Sequence, residues 1–244
     1  MSPEQLMLVI LGALVVAVLY SSVGHAGASG YIAVMTLAGL APESIRPTAL
    51  VLNILVASLT SYQFYRAGHF SWRLFWPFAV MSVPCAFLGG YLSVPAPIFK
   101  LIVGVVLLYS ALRFFINPRP DGETRPLPRS LSLIFGAVLG FVSGLTGVGG
   151  GIFLTPLLLF ARWAKTKTAA AVSALFILVN SISGLAGNVS STKQIPALAL
   201  PLAAAVLLGG AAGSYLGSRR LSPVLIKRLL ACVLTIAGIK LIMV

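Results

Sequence analysis

Two glycine-rich segments contain the residues of this chain best suited to bind a ligand. The first glycine segment, residues 24–30, reads Gly-His-Ala-Gly-Ala-Ser-Gly, and the second, residues 144–151, reads Gly-Leu-Thr-Gly-Val-Gly-Gly-Gly. Such segments break helices, because glycine adopts backbone conformations that other residues avoid. A helix that restarts after a break presents free N–H groups and the positive end of its dipole, which attract anions. The sequence therefore predicts two anion-binding helix ends, at about Ser29 and Gly149.

The two glycine segments are matching parts of a duplicated chain. A shift of 120 residues places Gly24, Gly27 and Gly30 on Gly144, Gly147 and Gly150, and Gly89-Gly90 on Gly209-Gly210. An apolar chain of two similar halves, with helices broken by glycine at matching places, is typical of secondary transporters. In such transporters the breaks mark the binding site.

We expect the site to be formed by residues in or near the breaks. Glycine would shape it, hydroxyl and amide side chains would donate hydrogen bonds, and His25 would tune its charge. His25 could bind an anion when protonated or carry a proton; the alternative is a neutral histidine bonded to the nearby turn. The predicted substrate-binding residues are Gly24, His25, Gly27, Ser29, Gly30, Asn53, Gly144, Thr146, Gly147, Gly149, Gly150 and Asn180.

Several of these residues also have a purely structural interpretation. Glycines in membrane helices often serve close packing, which is the role we expect for Gly89-Gly90, Gly209-Gly210 and Gly213. The polar stripe of Asn53 and Thr60, with the matching Ser173 and Asn180, could line the cavity or join helices. Arg46 could attract anions at an outer mouth or extend its charge to the interface from a helix end. Further small hydroxyls near the breaks are Ser21, Ser22, Ser143 and Thr155.

Composition places the chain in a membrane. Of its 244 residues 59% are hydrophobic and four are acidic, too little charge for a soluble domain. The four acids lie at termini or in loops, which argues against a cation substrate and favours an anion. The net charge of +13 is attributed to Lys and Arg in cytoplasmic loops rather than to a surface that binds nucleic acid. No cofactor or metal is expected, and Cys85 and Cys232 are interpreted as small apolar residues.

The apolar runs predict an all-α, polytopic fold of two repeats, residues 1–116 and 131–244, joined by a cytoplasmic linker at 117–130. Each repeat has a glycine-broken helix pair and three full transmembrane helices. The predicted helices are Leu6–Ser22, Tyr31–Leu40, Pro47–Tyr65, Trp72–Leu92, Pro97–Phe115, Leu131–Ser143, a short helix ending at Phe160, Thr168–Gly187, Pro196–Leu216 and Pro223–Met243.

The loop charges predict that the two repeats insert with opposite orientation. Thirteen Lys and Arg residues fall in loops near residues 66–73, 113–130, 162–167 and 219–228, which we assign to the cytoplasm. The other side keeps Arg46, Lys100, Lys193 and Lys240. This asymmetry indicates an inverted repeat in the inner (plasma) membrane, with both termini outside the cytoplasm.

The second glycine segment and the residues after it, Gly-Leu-Thr-Gly-Val-Gly-Gly-Gly-Ile-Phe-Leu-Thr-Pro-Leu-Leu from Gly144, closely resemble the signature of the TauE/SafE family of sulfite exporters. The first segment resembles a degenerate copy, which departs from the stronger motif at His25, Ser29 and Tyr31. The resemblance covers nearly the whole chain. It implies an inner-membrane transporter of small sulfur-containing or organic anions, such as sulfite, sulfoacetate or related sulfonates.

The sequence thus predicts a carrier, expected to be an exporter, that moves sulfite or a short organosulfonate by alternating access. Its predicted partners are the anion and the lipid bilayer, and whether the protein forms a homodimer is left open. A passive anion channel of the same architecture is the first alternative. A non-transporting membrane scaffold and an intramembrane enzyme are the others; the enzyme is disfavoured because the predicted spans contain no acids and His25 stands alone.

Overall fold

The computed structural model describes residues 3–92, 97–116, 121–192 and 198–243, and within these ranges the regular structure is helical throughout. Six of the described helices are long and apolar enough to cross a membrane, which confirms the all-α, membrane-spanning fold. The first half contains α1 (Pro3–Ser22), α2 (Ala28–Leu37), α3 (Pro42–Arg66), α4 (Trp72–Tyr91) and α5 (Pro97–Ile116). The second contains α6 (Arg129–Thr146), α7 (Gly151–Phe160), α8 (Thr166–Thr192), α9 (Ala199–Tyr215), which continues as a π-helical turn (Leu216–Arg220), and α10 (Pro223–Met243).

Several predicted helix boundaries are wrong, and proline or glycine explains the clearest cases. Helix α3 begins at Pro42, and Pro47, the predicted first residue, lies one turn inside it. Either proline can begin a helix, so the sequence did not distinguish them. Helix α8 continues to Thr192 beyond Gly187, because Gly187 packs against the backbone of α4 at Phe87 instead of ending the helix.

The linker is partly described. Residues 121–128 have no regular secondary structure, and the assignment of 117–130 as a cytoplasmic linker stays a prediction. Residues 117–120 and 193–197 lie outside the described residues. They include Arg119 and Lys193 from the charge count and Pro196, the predicted start of a helix.

Helix contacts follow the duplication. Helix α1 packs along α9 and α6 along α4, and these are equivalent pairs under the shift of 120 residues. Helices α3 and α8 pack on each other, as do α5 and α10. Each of these pairs joins a helix of the first half to a helix of the second, as expected of two similar repeats packed against each other. Their opposite orientation in the membrane stays a prediction.

Small residues bring these helices into backbone contact. Along α6, Gly136, Gly140 and Gly144 recur every fourth residue and lie on one face. A Cβ built on them would lie 2.4, 2.2 and 2.0 Å from carbonyl oxygens of α4, so the two backbones touch. Gly209, Gly213 and Gly217 pack in the same way on carbonyls of α1. Glycine packing stripes therefore hold both pairs, as is usual where there is no hydrophobic driving force between helices.

Candidate functional site

The first helix break spans residues 23–27, between α1 and α2. Gly24 and Gly27 have φ of 82° and 106°, a conformation that a residue with a Cβ adopts only at a cost. The amide of His25 donates to the carbonyl of Tyr20 at 2.9 Å and closes the end of α1. A Cβ at Gly24 would also lie 2.5 Å from the backbone of Ala170 on α8. Both backbone angle and packing therefore require glycine at position 24.

The second break spans residues 147–150 and is shorter than predicted. Gly147, Gly149 and Gly150 have φ of 75°, 80° and 78°, whereas Gly144 lies inside α6 and packs against Ala86. The expectation that the break begins at Gly144 is wrong by one helical turn. A glycine that packs and a glycine that ends a helix look alike in a sequence. The helices restart at Ala28 and Gly151, close to the predicted Ser29 and Gly149.

The two breaks meet at one buried cavity. Its lining comes from both breaks, the first turns of α2 and α7, and helices α1 and α8: Tyr20, His25, Ala26, Gly27, Ala28, Ser29, Val148, Ile152 and Ile177. Its volume, counted as the space open to the centre of a water-sized sphere, is about 10 Å³. That is enough for about one water molecule. We call this region the junction; it is closed to anything larger in this conformation.

Asn53 on α3 bridges the two breaks. Its Oδ1 accepts a hydrogen bond from the backbone N–H of Ala28, the first residue of α2, at 3.0 Å. Its Nδ2 donates to the carbonyl of Val148 in the second break at 3.4 Å and to Ser181 Oγ at 3.3 Å. The side chain is fully buried. Of the two roles the sequence left open, cavity lining and helix joining, the structure places Asn53 as a direct link between the breaks.

His25 joins the first break to the second half. Its Nε2 lies 2.8 Å from Thr155 Oγ1 on α7, and Thr155 Oγ1 donates to Ser173 Oγ on α8 at 2.7 Å. The sequence put Thr155 near the second break but outside the predicted site. Its partner lies 130 residues away, a separation that local pattern does not reveal. Both residues are buried.

Other predicted site residues lie close to the junction without lining its cavity. Gly30 packs against Val16. Thr146 Oγ1 donates to the carbonyl of Val142 on its own helix at 2.8 Å. Asn180 Oδ1 accepts from Ser82 Oγ on α4 at 2.5 Å, so this amide joins α4 to α8.

Polar groups without partners remain buried at both breaks. Within the described part of the chain Tyr31 Oη has no hydrogen-bond partner, and it lies beside Gly27, where a Cβ would be 2.9 Å from it. Ser143 Oγ has none either and belongs to a side chain packed against Gly150. Buried polar groups are nearly always hydrogen-bonded, so these atoms are available to form hydrogen bonds with water or a ligand. His25 Nδ1 is a third such atom.

Arg46 binds helix ends beside the second break. Its Nη2 donates to the carbonyls of Gly89, Gly90 and Gly144 at 2.9, 2.9 and 2.6 Å. A Cβ at Gly147 would lie 2.9 Å from Arg46 Cγ. The side chain therefore ties α3 to the final turns of α4 and α6. The sequence indicated only an arginine near a helix start; the carbonyl acceptors come from tertiary packing.

A second cavity lies where the linker meets the ends of α5, α7 and α10. It has a volume of about 400 Å³, and Arg113, Asp121, Arg162 and Lys227 contribute to its lining. Asp121 accepts from Lys227 Nζ at 2.9 Å and from Thr166 N at 3.0 Å. Burial raises the pKa of Asp121, but hydrogen bonds from Thr166 and Lys227 outweigh it and leave this pKa below its ordinary value. The sequence did not predict this cavity.

A family model and several known proteins match this chain over almost its whole length. The family model described as "Sulfite exporter TauE/SafE" matches residues 9–241. The chain is 39% identical to "Probable membrane transporter protein y4hK" of Sinorhizobium fredii, over 93% of this chain and 94% of that protein. It is 28% identical to "Probable membrane transporter protein YjnA" of Bacillus subtilis, over 96% and 98% of the two chains. No solved structure matches significantly.

Proposed function

Because the chain belongs to the TauE/SafE family of sulfite exporters and is a multi-pass membrane transporter, we propose that it carries sulfite or a short organosulfonate through the junction. Export is the direction that the family description implies. The observation that carries the proposal is that both helix breaks, far apart in sequence, line one buried cavity.

The chemistry of the junction favours an anion. The first amides of α2 and α7 have no acceptor within their own helices, and they lie at the positive ends of the helix dipoles. One of these amides, that of Ala28, already donates a hydrogen bond to Asn53 Oδ1. The described residues that line the cavity include no carboxylate. Amides, hydroxyls and helix dipoles bind oxyanions without a fixed countercharge.

The closed cavity supports alternating access. Room for about one water molecule cannot hold sulfite, which has four heavy atoms. The helix ends around the junction must therefore separate for an anion to enter. Arg46 holds the ends of α4 and α6 at the second break, so breaking these hydrogen bonds is one way to open the site from the side that we assign as non-cytoplasmic.

Counterflow in proteoliposomes tests the proposal. Vesicles are loaded with unlabelled sulfite or methanesulfonate and diluted into a trace of the ³⁵S-labelled anion. With potassium and valinomycin holding the membrane potential at zero, a carrier accumulates the label transiently above its equilibrium level, whereas a passive channel lets it equilibrate without an overshoot. A thermal-shift screen with sulfite, thiosulfate, sulfate, sulfonates and small carboxylates selects the anion beforehand, because a bound ligand raises stability. Equilibration without an overshoot would replace the carrier by a channel, and the absence of any flux would contradict both.

A further inference from the structure

His25 has one bonded ring nitrogen and one free ring nitrogen in the junction. Thr155 Oγ1 lies 2.7 Å from Ser173 Oγ, and when it donates its hydrogen there it accepts from His25. In that arrangement Nε2 of His25 carries the hydrogen of the 2.8 Å contact, and in the neutral ring Nδ1 holds the lone pair. This tautomer is assigned from the hydrogen-bond network. Nδ1 is buried and has no hydrogen-bond partner among the residues that the structure describes, on a side chain that is 2% exposed.

Among the described residues that line the junction, His25 is the only one whose side chain becomes a cation by taking up a proton. Arg46, the charged residue at the second break, already donates to four backbone carbonyls. Amides, hydroxyls and helix dipoles can hold an anion in the junction, and a positive charge that arrives with the anion lowers the cost of taking it out of water further. The polar groups near His25 are Tyr20 of α1 and Ser29 of α2, which line the same cavity, and Thr155 and the backbone of Gly151 on α7, which bond the side chain. Ser173 of α8 bonds Thr155.

We propose that the protein moves one proton with each monovalent anion and that His25 Nδ1 carries this proton. The inference rests on the proposed function. On the side to which the junction opens, water gives a proton to the Nδ1 lone pair, and the resulting N–H donates to an oxygen of the anion. On the other side the anion leaves, and Nδ1 returns its proton to water. One anion and one proton cross together, so no net charge moves.

The Nε2 contact is that of a structural histidine, and the unpartnered Nδ1 adds the capacity to take up a proton. Substitution His25→Gln separates the two roles, since the glutamine amide can still donate to Thr155 but cannot take up a proton near neutral pH. His69→Gln is the matched control. His69 lies outside both breaks, and its Nε2 contacts the carbonyl of Ser218 at 3.0 Å.

The experiment uses proteoliposomes that contain the pH dye pyranine, with potassium and valinomycin to set the membrane potential. The probe is methanesulfonate, whose sulfonate stays ionised near neutral pH, so a proton that accompanies it must travel on the protein. Wild type and His69→Gln are expected to move about one proton per anion, at a rate independent of membrane potential. His25→Gln is expected to lose the proton movement and at least about tenfold of the flux, with the residual flux following the potential.

Wild-type flux that follows the membrane potential without a pyranine signal would overturn the inference and leave the proposed function intact. Proton movement retained in His25→Gln would also overturn it, by placing the proton elsewhere. Sulfite itself binds a proton near neutral pH, so a proton count with sulfite would not report on the protein. With sulfite, the dependence of the flux on membrane potential is therefore compared between wild type and His25→Gln. Because wild type alone decides the first outcome, the test does not depend on the folding of the variant. Absence of flux for both anions would overturn the inference together with the function on which it rests.

Discussion

Asn53 Oδ1 accepts a hydrogen bond from the backbone amide of Ala28 at 3.0 Å, so a side chain in the middle of α3 occupies the first amide of α2. The same side chain reaches the second break through Nδ2. The two breaks are thus held at a fixed separation by one buried amide. An anion that binds the helix ends has to bind beside it or displace it.

Substitution Asn53→Leu is expected to lower both stability and anion binding. It leaves the Ala28 amide buried without an acceptor, which costs about 1–3 kcal/mol. Thermal unfolding in detergent, with and without sulfite, measures both effects. Thr60→Val is the control, since Thr60 lies on the same helix face, is buried, and its hydroxyl bonds none of the described residues. An equal loss in both variants would mean that the Asn53 hydrogen bonds carry no special role.

Substitution Gly149→Ala is expected to abolish transport, with at least about a tenfold loss of flux, since displacements of about 1 Å at a binding site can cost a hundredfold. A Cβ there would lie 2.8 Å from Asn53 Nδ2 and 2.7 Å from Ile177, so it would push apart the contacts between the breaks. Flux in proteoliposomes is the measurement.

The control for Gly149→Ala is Gly68→Ala. Gly68 has φ of 76°, close to the 80° of Gly149, but no atom of the described residues lies within 4 Å of its Cβ position. The two variants therefore share the backbone strain and differ in the contact. Similar flux losses in both would assign the effect to strain rather than to the junction.

Substitution Arg46→Lys is expected to destabilise the protein although the charge is kept. The guanidinium spreads its donors over carbonyls of two helices, and a lysine ammonium presents its donors from a single point. Loss of one or two of these hydrogen bonds lowers the free energy of unfolding by about 1–3 kcal/mol. Thermal unfolding measures the difference, with the exposed Arg73→Lys as control. An unchanged midpoint would show that the carbonyl contacts do not contribute to stability.

Asp121 gives stability a dependence on pH. Its pKa is lowered in the folded protein, so it stabilises the fold above its ordinary pKa, and this contribution disappears as the pH falls through the lower, folded value. Asp121→Asn is therefore expected to unfold at a lower temperature than wild type at neutral pH, and the difference should shrink in acid. Glu123→Gln, an exposed neighbour, is the control. A difference that does not change with pH would contradict the role of the carboxylate.

The sequence predicted the elements of the site better than their contacts. Helix breaks, apolar spans and the packing role of Gly209 and Gly213 follow from local pattern, because glycine placement and hydrophobic runs are local properties. The contacts of His25 with Thr155 and of Asn53 with Ala28 join different helices, and neither is marked by composition or spacing. Gly144 was misassigned for a related reason: whether a glycine ends a helix or packs within it depends on the neighbouring helix.

The most direct test of the central claim locates the bound anion. A map of the purified protein with selenite, whose selenium is identified by anomalous scattering and which has the shape and charge of sulfite, shows where the anion sits. The expected peak lies between residues 24–30 and 147–152, within hydrogen-bond distance of His25 or of the first amides of α2 and α7. A peak confined to the cavity at Asp121 and Lys227, with the junction still closed and empty, would contradict the account.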